Sequence, residues 1–183
     1  MIAITIFSKE DFHNWLKENK TEAKVGLILH KRHTGKTAPT HRELLEEALC
    51  FGWIDTIIKK IDDNTYMRTF VRRNGNSRWS KNTLSYAKQL IQDGRMTPDG
   101  LEFYNHGLQK KTHDHGIPEN PDMPDELKKA LAKNKAAQKN FELFPPSAKR
   151  MFYRWILSAK TDETKLKRIE KVIKNAEENK KKF

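Results

Sequence analysis

Residues 53–73 read WIDTIIKKIDDNTYMRTFVRR, and this stretch decides the fold class. Trp53–Ile61 and Tyr66–Arg73 are both rich in β-branched and aromatic residues, which favour strands. Between them stands Asp62-Asp63-Asn64, a run of turn formers. Two such runs around such a turn predict a β-hairpin. Upstream, Ala23–Lys31 reads as a further strand, with Val25, Leu27 and Leu29 on one side and Ile28 on the other. His33–Lys36, with Gly35, follows as a turn.

Helical signals surround these strands. Ser8 with Asp11 makes a capping box, and Phe12, Trp15 and Leu16 mark one face of the helix it opens. Thr40 with Glu43 makes a second box ahead of Leu44, Leu45, Ala48 and Leu49, and Gly52 falls where that helix stops. Beyond the turn at Asn74-Gly75-Asn76, Leu84, Ala87, Leu90 and Ile91 line a helix that Gly94 closes. Thr97 and Pro98 are an N-cap and first-turn pair for a helix reaching about Leu108. Residues 109–123 form a polar, proline-containing linker.

Three helices are expected after that linker. One spans Pro124–Leu143; a second carries Met151, Phe152, Trp155 and Ile156 at helical spacing; a third carries Leu166, Ile169, Val172 and Ile173. Lys180–Lys182 are expected to fray. The expected class is therefore α+β: a small N-terminal sheet or hairpin with helices over residues 1–108, the 109–123 linker, and an all-helical region over 124–183.

With 36% hydrophobic and 33% charged residues, the chain should form a modest core under a densely charged surface. Its single cysteine, Cys50, excludes an intramolecular disulfide. Met1–Ser8 is apolar but too short for a signal peptide and lacks a basic leader. No run approaches the ~20 apolar residues of a membrane span. A cytoplasmic location is the expectation.

The net charge of +12 is unevenly placed. Residues 68–95 hold seven Lys and Arg against one acid, residues 149–183 hold twelve against five, and the rest of the chain is close to balance. Two basic segments of this kind attract phosphorylated ligands or nucleic acid. They also serve simply to keep a protein soluble.

Most chemistry-bearing residues have a plain structural explanation. Cys50 continues an apolar helix face and is expected to be a buried, inert thiol. His30 with His33, and His113 with His115, lack carboxylate or cysteine companions at ligand spacing, so no metal is expected. The glycines form no phosphate-cradling loop, no serine stands in a nucleophile elbow, and no cofactor is expected.

One segment stands apart: Arg68, Arg72 and Arg73, followed by Arg78, Trp79, Ser80 and Lys81. Arg68 and Arg72 share a strand face with Phe70 between them, and Arg73 points the other way. The next helix begins near Ser80, so its N-terminal N–H groups gather with Arg78, Trp79 and Lys81. Guanidinium groups supply paired donors for phosphate or carboxylate. Asp55 is the acid expected to neutralise part of this charge. These eight residues form the candidate anion-binding set. The alternative is a solvated charged strand beside a capped helix, with Trp79 in the core.

Four stretches carry a family resemblance: Cys50–Asp55, Arg72–Asn82, Gly94–Gly100, and Trp155–Lys160 with Glu163-Thr164 and Arg168-Ile169. Together, from about Phe12 to Ile173, they resemble the YdeI/OmpD-associated, or bacteriocin-protection, family. Val71 and Thr56 stand where that family often has proline and glycine. The resemblance implies a cytoplasmic bacterial or archaeal protein, α+β then helical, acting in stress or antimicrobial defence. It implies no reaction and no catalytic residues. Three readings follow: a binder of a phosphorylated or otherwise anionic small molecule, a nucleic-acid binder using both basic segments, or an enzyme with Asp55 near Arg72 at its polar centre.

Overall fold

The computed structural model describes residues 1–182, and the chain is α+β. It divides into two compact units, Met1–His113 and the remainder from Asp114.

In the first unit, strands β1 (Ile2–Thr5), β2 (Lys24–His30), β3 (Trp53–Lys60) and β4 (Thr65–Arg72) form one sheet in the order β1-β2-β4-β3. The β3–β4 hairpin is present, with Thr65 and Asn64 donating their N–H groups to the Asp62 carboxylate in the turn. The apolar Met1–Ser8 stretch, read in the sequence only as too short for a leader, supplies β1. It pairs parallel to β2, with helix α1 (Lys9–Glu18) as the connection. Four residues are a weak strand signal without the partner that pairs them.

Val25, Leu27, Leu29 and Phe70 project from one sheet face and are fully buried. Phe12 and Leu16 of α1 pack on them, as do Leu44 and Ala48 of α2 (His41–Cys50). Side chains on the other side of α2, Leu45, Leu49 and Cys50, pack instead with Ala87 and Leu90 of α3 (Lys81–Gln92) and with Trp79. The expected capping boxes hold α1 at Ser8 and α2 at Thr40, and a third holds α3 at Ser80. Burying one large apolar side chain gives roughly 1.5–3 kcal/mol, so these two faces dominate the unit's stability.

Helix α4 (Pro98–Leu108) packs by close approach of two glycines. A Cβ on Gly100 would lie 2.2 Å from the Cys50 carbonyl oxygen, and one on Gly107 would lie 2.4 Å from the Trp79 ring. Gly100 thereby seats the α4 N-terminus against the end of α2, beside Gly52 at φ +75°.

The second unit is helical: α5 (Asp125–Ala132), α6 (Lys135–Glu142), α7 (Pro146–Leu157) and α8 (Asp162–Glu177). The single helix expected over Pro124–Leu143 is two. Asn134, in extended conformation, accepts the Ala137 N–H and restarts the chain as α6, because its short amide competes with helical bonding. Leu127, Phe141, Phe152, Ile156, Ile169 and Val172 form the core. Trp155 is only partly buried and Leu166 is exposed, both contrary to expectation. Lys180–Lys182 are tied rather than frayed: the Lys180 N–H donates to the Asn175 carbonyl, and the Asn175 amide donates to the Lys182 carbonyl. Among the described residues no helix is long and apolar enough to cross a membrane.

Candidate functional site

The basic segment read in the sequence is divided by the fold into four groups. Arg68, 9% exposed, donates from Nη1 to Asp55 Oδ2 at 2.7 Å. The same carboxylate oxygen lies 3.0 Å from His41 Nε2. A bulge between Asp55 and Ile58 leaves Asp55 opposite Phe70, on the core face with Arg68. Arg73 is 3% exposed, lies 3.7 Å over the Trp79 ring, and donates to the Arg78 carbonyl. Trp79 is itself buried. Arg78 and Lys81 are exposed around the α3 N-terminus, where the Ser80 hydroxyl accepts from the Thr83 N–H. Asp55 stands with Arg68 and His41, whereas Arg72 pairs with Asp99.

Arg72 alone of the set lines a cavity of about 350 Å3 in the first unit. Its Nη2 donates to Asp99 Oδ2 at 2.7 Å and its Nη1 to the Lys20 carbonyl. Leu16, Phe51, Trp53 and Pro98 supply the apolar wall. His13, Lys17, Lys20, Arg72 and Asp99 supply the polar part of the lining. The first turn of α4 borders the cavity through Thr97, Pro98 and Asp99. The Thr97 hydroxyl is engaged, donating to the Cys50 carbonyl at 2.6 Å.

Three of these polar residues were not singled out by sequence. His13, Lys17 and Lys20 recur at i, i+4 and i+7, one stripe beside the buried Phe12 and Leu16. The spacing was readable; that α4 would close a cavity over it was not.

His13 also borders a second cavity, with Lys9, Glu10, Glu47, Cys50 and Arg95. Its Nδ1 lies 2.8 Å from Glu47 Oε2, and Glu47 is 6% exposed. The other Glu47 oxygen accepts from Arg95 Nη2 at 2.7 Å. Burial pushes the Cys50 thiol up to about 12, which makes it a poor nucleophile near neutral pH. Among the described residues no group of three or more His, Cys, Asp or Glu could hold a metal ion.

Residues 4–103 match a family described as a domain of unknown function (DUF8412). Residues 120–179 match the family described as bacteriocin-protection, YdeI or OmpD-associated. The chain belongs to the DUF8412 family and carries a YdeI/OmpD-associated C-terminal region. The second match covers only the C-terminal part, so of the four stretches carrying the resemblance only Trp155–Ile169 lies inside it. The cavity lined by Arg72 lies wholly in the DUF8412 part. No curated protein and no solved structure is significantly similar to the chain.

Proposed function

We propose that the DUF8412 unit binds a small anion with a flat, apolar body, such as an aromatic carboxylate or an aryl phosphate. The observation that carries this reading is the cavity itself, with aromatic and aliphatic walls on one side and Lys17, Lys20 and Arg72 at its rim. Asp99 offsets one of those three cations, which leaves an excess of positive charge for an anionic head group. Phe51, partly exposed, offers ring surface for the body, with the buried Trp53 behind it in the wall. An apolar concavity with a few convergent polar groups is the usual form of a small-molecule site. Arg68, Arg73 and the α3 N-terminus support the scaffold of this site rather than its rim. The C-terminal family's description names bacteriocin protection, and we take a stress or defence role in the cytoplasm as the setting of that binding.

The test is calorimetric titration with benzoate, phenylpyruvate, phenyl phosphate and inorganic phosphate. The aromatic anions should bind and quench Trp53 fluorescence, and inorganic phosphate should bind more weakly. Lys17→Ala combined with Lys20→Ala, both exposed, should lower affinity at least tenfold with the fold intact. Equal affinity in wild type and double variant would remove the reading.

A further inference from the structure

We infer that this cavity is a proton-transfer site in which His13 is the base and Glu47 its positioning residue; this rests on the anion-binding reading above. Three observations point to it. His13 lines the cavity, so its ring meets whatever occupies it. Its Nδ1 lies 2.8 Å from the carboxylate of a buried glutamate. That glutamate is fixed by a second bond on its other oxygen, from Arg95 at 2.7 Å.

A carboxylate at Nδ1 accepts the proton there and sets the tautomer, leaving the Nε2 lone pair for an occupant. The ring stands edge-on to Phe51, with centroids 5.1 Å apart, which restricts its rotation. The His13 side chain is itself about half exposed, and these two contacts are what restrain it. Two bonds and near-complete burial make Glu47 an orienting group of the kind that holds an imidazole for general-base work.

Among the described residues no free hydroxyl or reactive thiol accompanies the dyad. Thr97 is engaged with the backbone, and the Cys50 thiol is pushed up to about 12 by burial. Covalent catalysis through a hydroxyl or thiol is thus disfavoured, and the chemistry the His13–Glu47 geometry supports is reversible deprotonation of the occupant. The class of substrate is an aromatic 2-oxo acid anion with acidic C–H bonds beside the carbonyl. Nε2 takes one proton from that carbon, and the C–H electron pair becomes the enol double bond. The carbonyl oxygen gains the negative charge, held by Lys20 or Arg72. His13 then returns its proton to the oxygen, giving the enol isomer, or to the carbon, regenerating the substrate with its hydrogen exchanged, and no other reactant is consumed.

Phenylpyruvate in deuterated buffer provides the test, with exchange of its methylene protons followed by NMR and binding by calorimetry. Wild type should exchange them at least tenfold faster than the same concentration of free imidazole. His13→Gln should lose that acceleration when the rates are compared at saturating probe. Glu47→Gln should lower the exchange rate at least tenfold, with affinity for the probe preserved, and should shift the imidazole 15N resonances away from the Nδ1–H tautomer. If Glu47→Gln fails to fold, the 15N spectrum of wild-type His13 decides, and a dominant Nε2–H tautomer overturns the inference. Binding without acceleration overturns the inference alone. Absence of binding overturns the anion reading and the inference with it.

Discussion

The Arg73 guanidinium lies 3.7 Å above the Trp79 ring with both residues buried. Its Nε has no hydrogen-bond partner. Burial draws this guanidinium down to about 10, with Asp55 opposing the shift in part. A charge so placed adds packing and cation–π attraction but costs desolvation.

The balance is testable by substitution. Arg73→Met keeps much of the volume over Trp79 and removes the charge, and is expected to change stability by less than about 1.5 kcal/mol. Arg73→Ala leaves a cavity against the indole and should cost about 2–5 kcal/mol. Urea unfolding of both variants checks the ordering, and a Met variant as damaged as the Ala variant would show that the charge itself stabilises.

Arg68 differs, because its guanidinium is buried and its ion partner is Asp55. Asp55→Ala leaves that cation without its carboxylate, at an expected cost of about 3–5 kcal/mol. His41 contacts the same carboxylate but is about half exposed, so His41→Ala should cost under about 1 kcal/mol. Chemical denaturation of the two variants separates them, and similar losses would contradict the assignment of Arg68 as the partner that matters.

The hairpin, the Ser8 and Thr40 caps and the apolar faces of α1 and α2 were legible because each is a local signal. The split between α5 and α6 was legible in principle at Asn134, but Leu127, Leu131, Ala137 and Phe141 keep helical spacing across it. The candidate site was less accessible. Arg72 and Arg73 are adjacent in sequence, yet strand alternation sends one to the cavity and the other over Trp79. His13, Lys17, Lys20 and Asp99 meet only because Gly100 lets α4 approach the end of α2, a tertiary event with no local signature.

Cys50 gives a pH-dependent prediction. Its thiol is raised from 9.0 to about 12, first by burial and then by Glu47. The unfolded chain therefore releases this proton near pH 9 while the folded chain keeps it. Stability attributable to the protonated thiol is present below pH 9 and is lost as pH rises from 9 toward 12, at roughly 1.4 kcal/mol per unit. Comparison with Cys50→Ala isolates this contribution from other groups. Between pH 8 and 10.5 the wild type should lose about 2 kcal/mol relative to that variant. Native protein at pH 8 should also resist thiol reagents, and rapid labelling would place the thiol at the surface.

In the YdeI/OmpD-associated part, Arg168 of α8 reaches the end of α7. Its Nη1 donates to the Trp155 carbonyl and, at 2.7 Å, to the Ser158 hydroxyl, while its guanidinium carbon lies 5.1 Å from the Trp155 ring. The carbonyls in the last turn of a helix have no intrahelical partner, so a cation bonded there both satisfies one and complements the helix dipole. Arg168→Ala should cost about 2 kcal/mol, mostly through these hydrogen bonds. Trp155→Ala removes the ring but leaves the carbonyl, and because the ring is only partly buried the cost should fall below the 3–5 kcal/mol of a fully buried tryptophan. The two contributions separate in a double-mutant cycle. The two side chains share the ring contact, so a coupling energy of about 0.5–1 kcal/mol is expected. Strict additivity would leave Arg168 acting through the carbonyl and hydroxyl alone, and a coupling well above 1 kcal/mol would mean that the ring holds the guanidinium in place for those bonds.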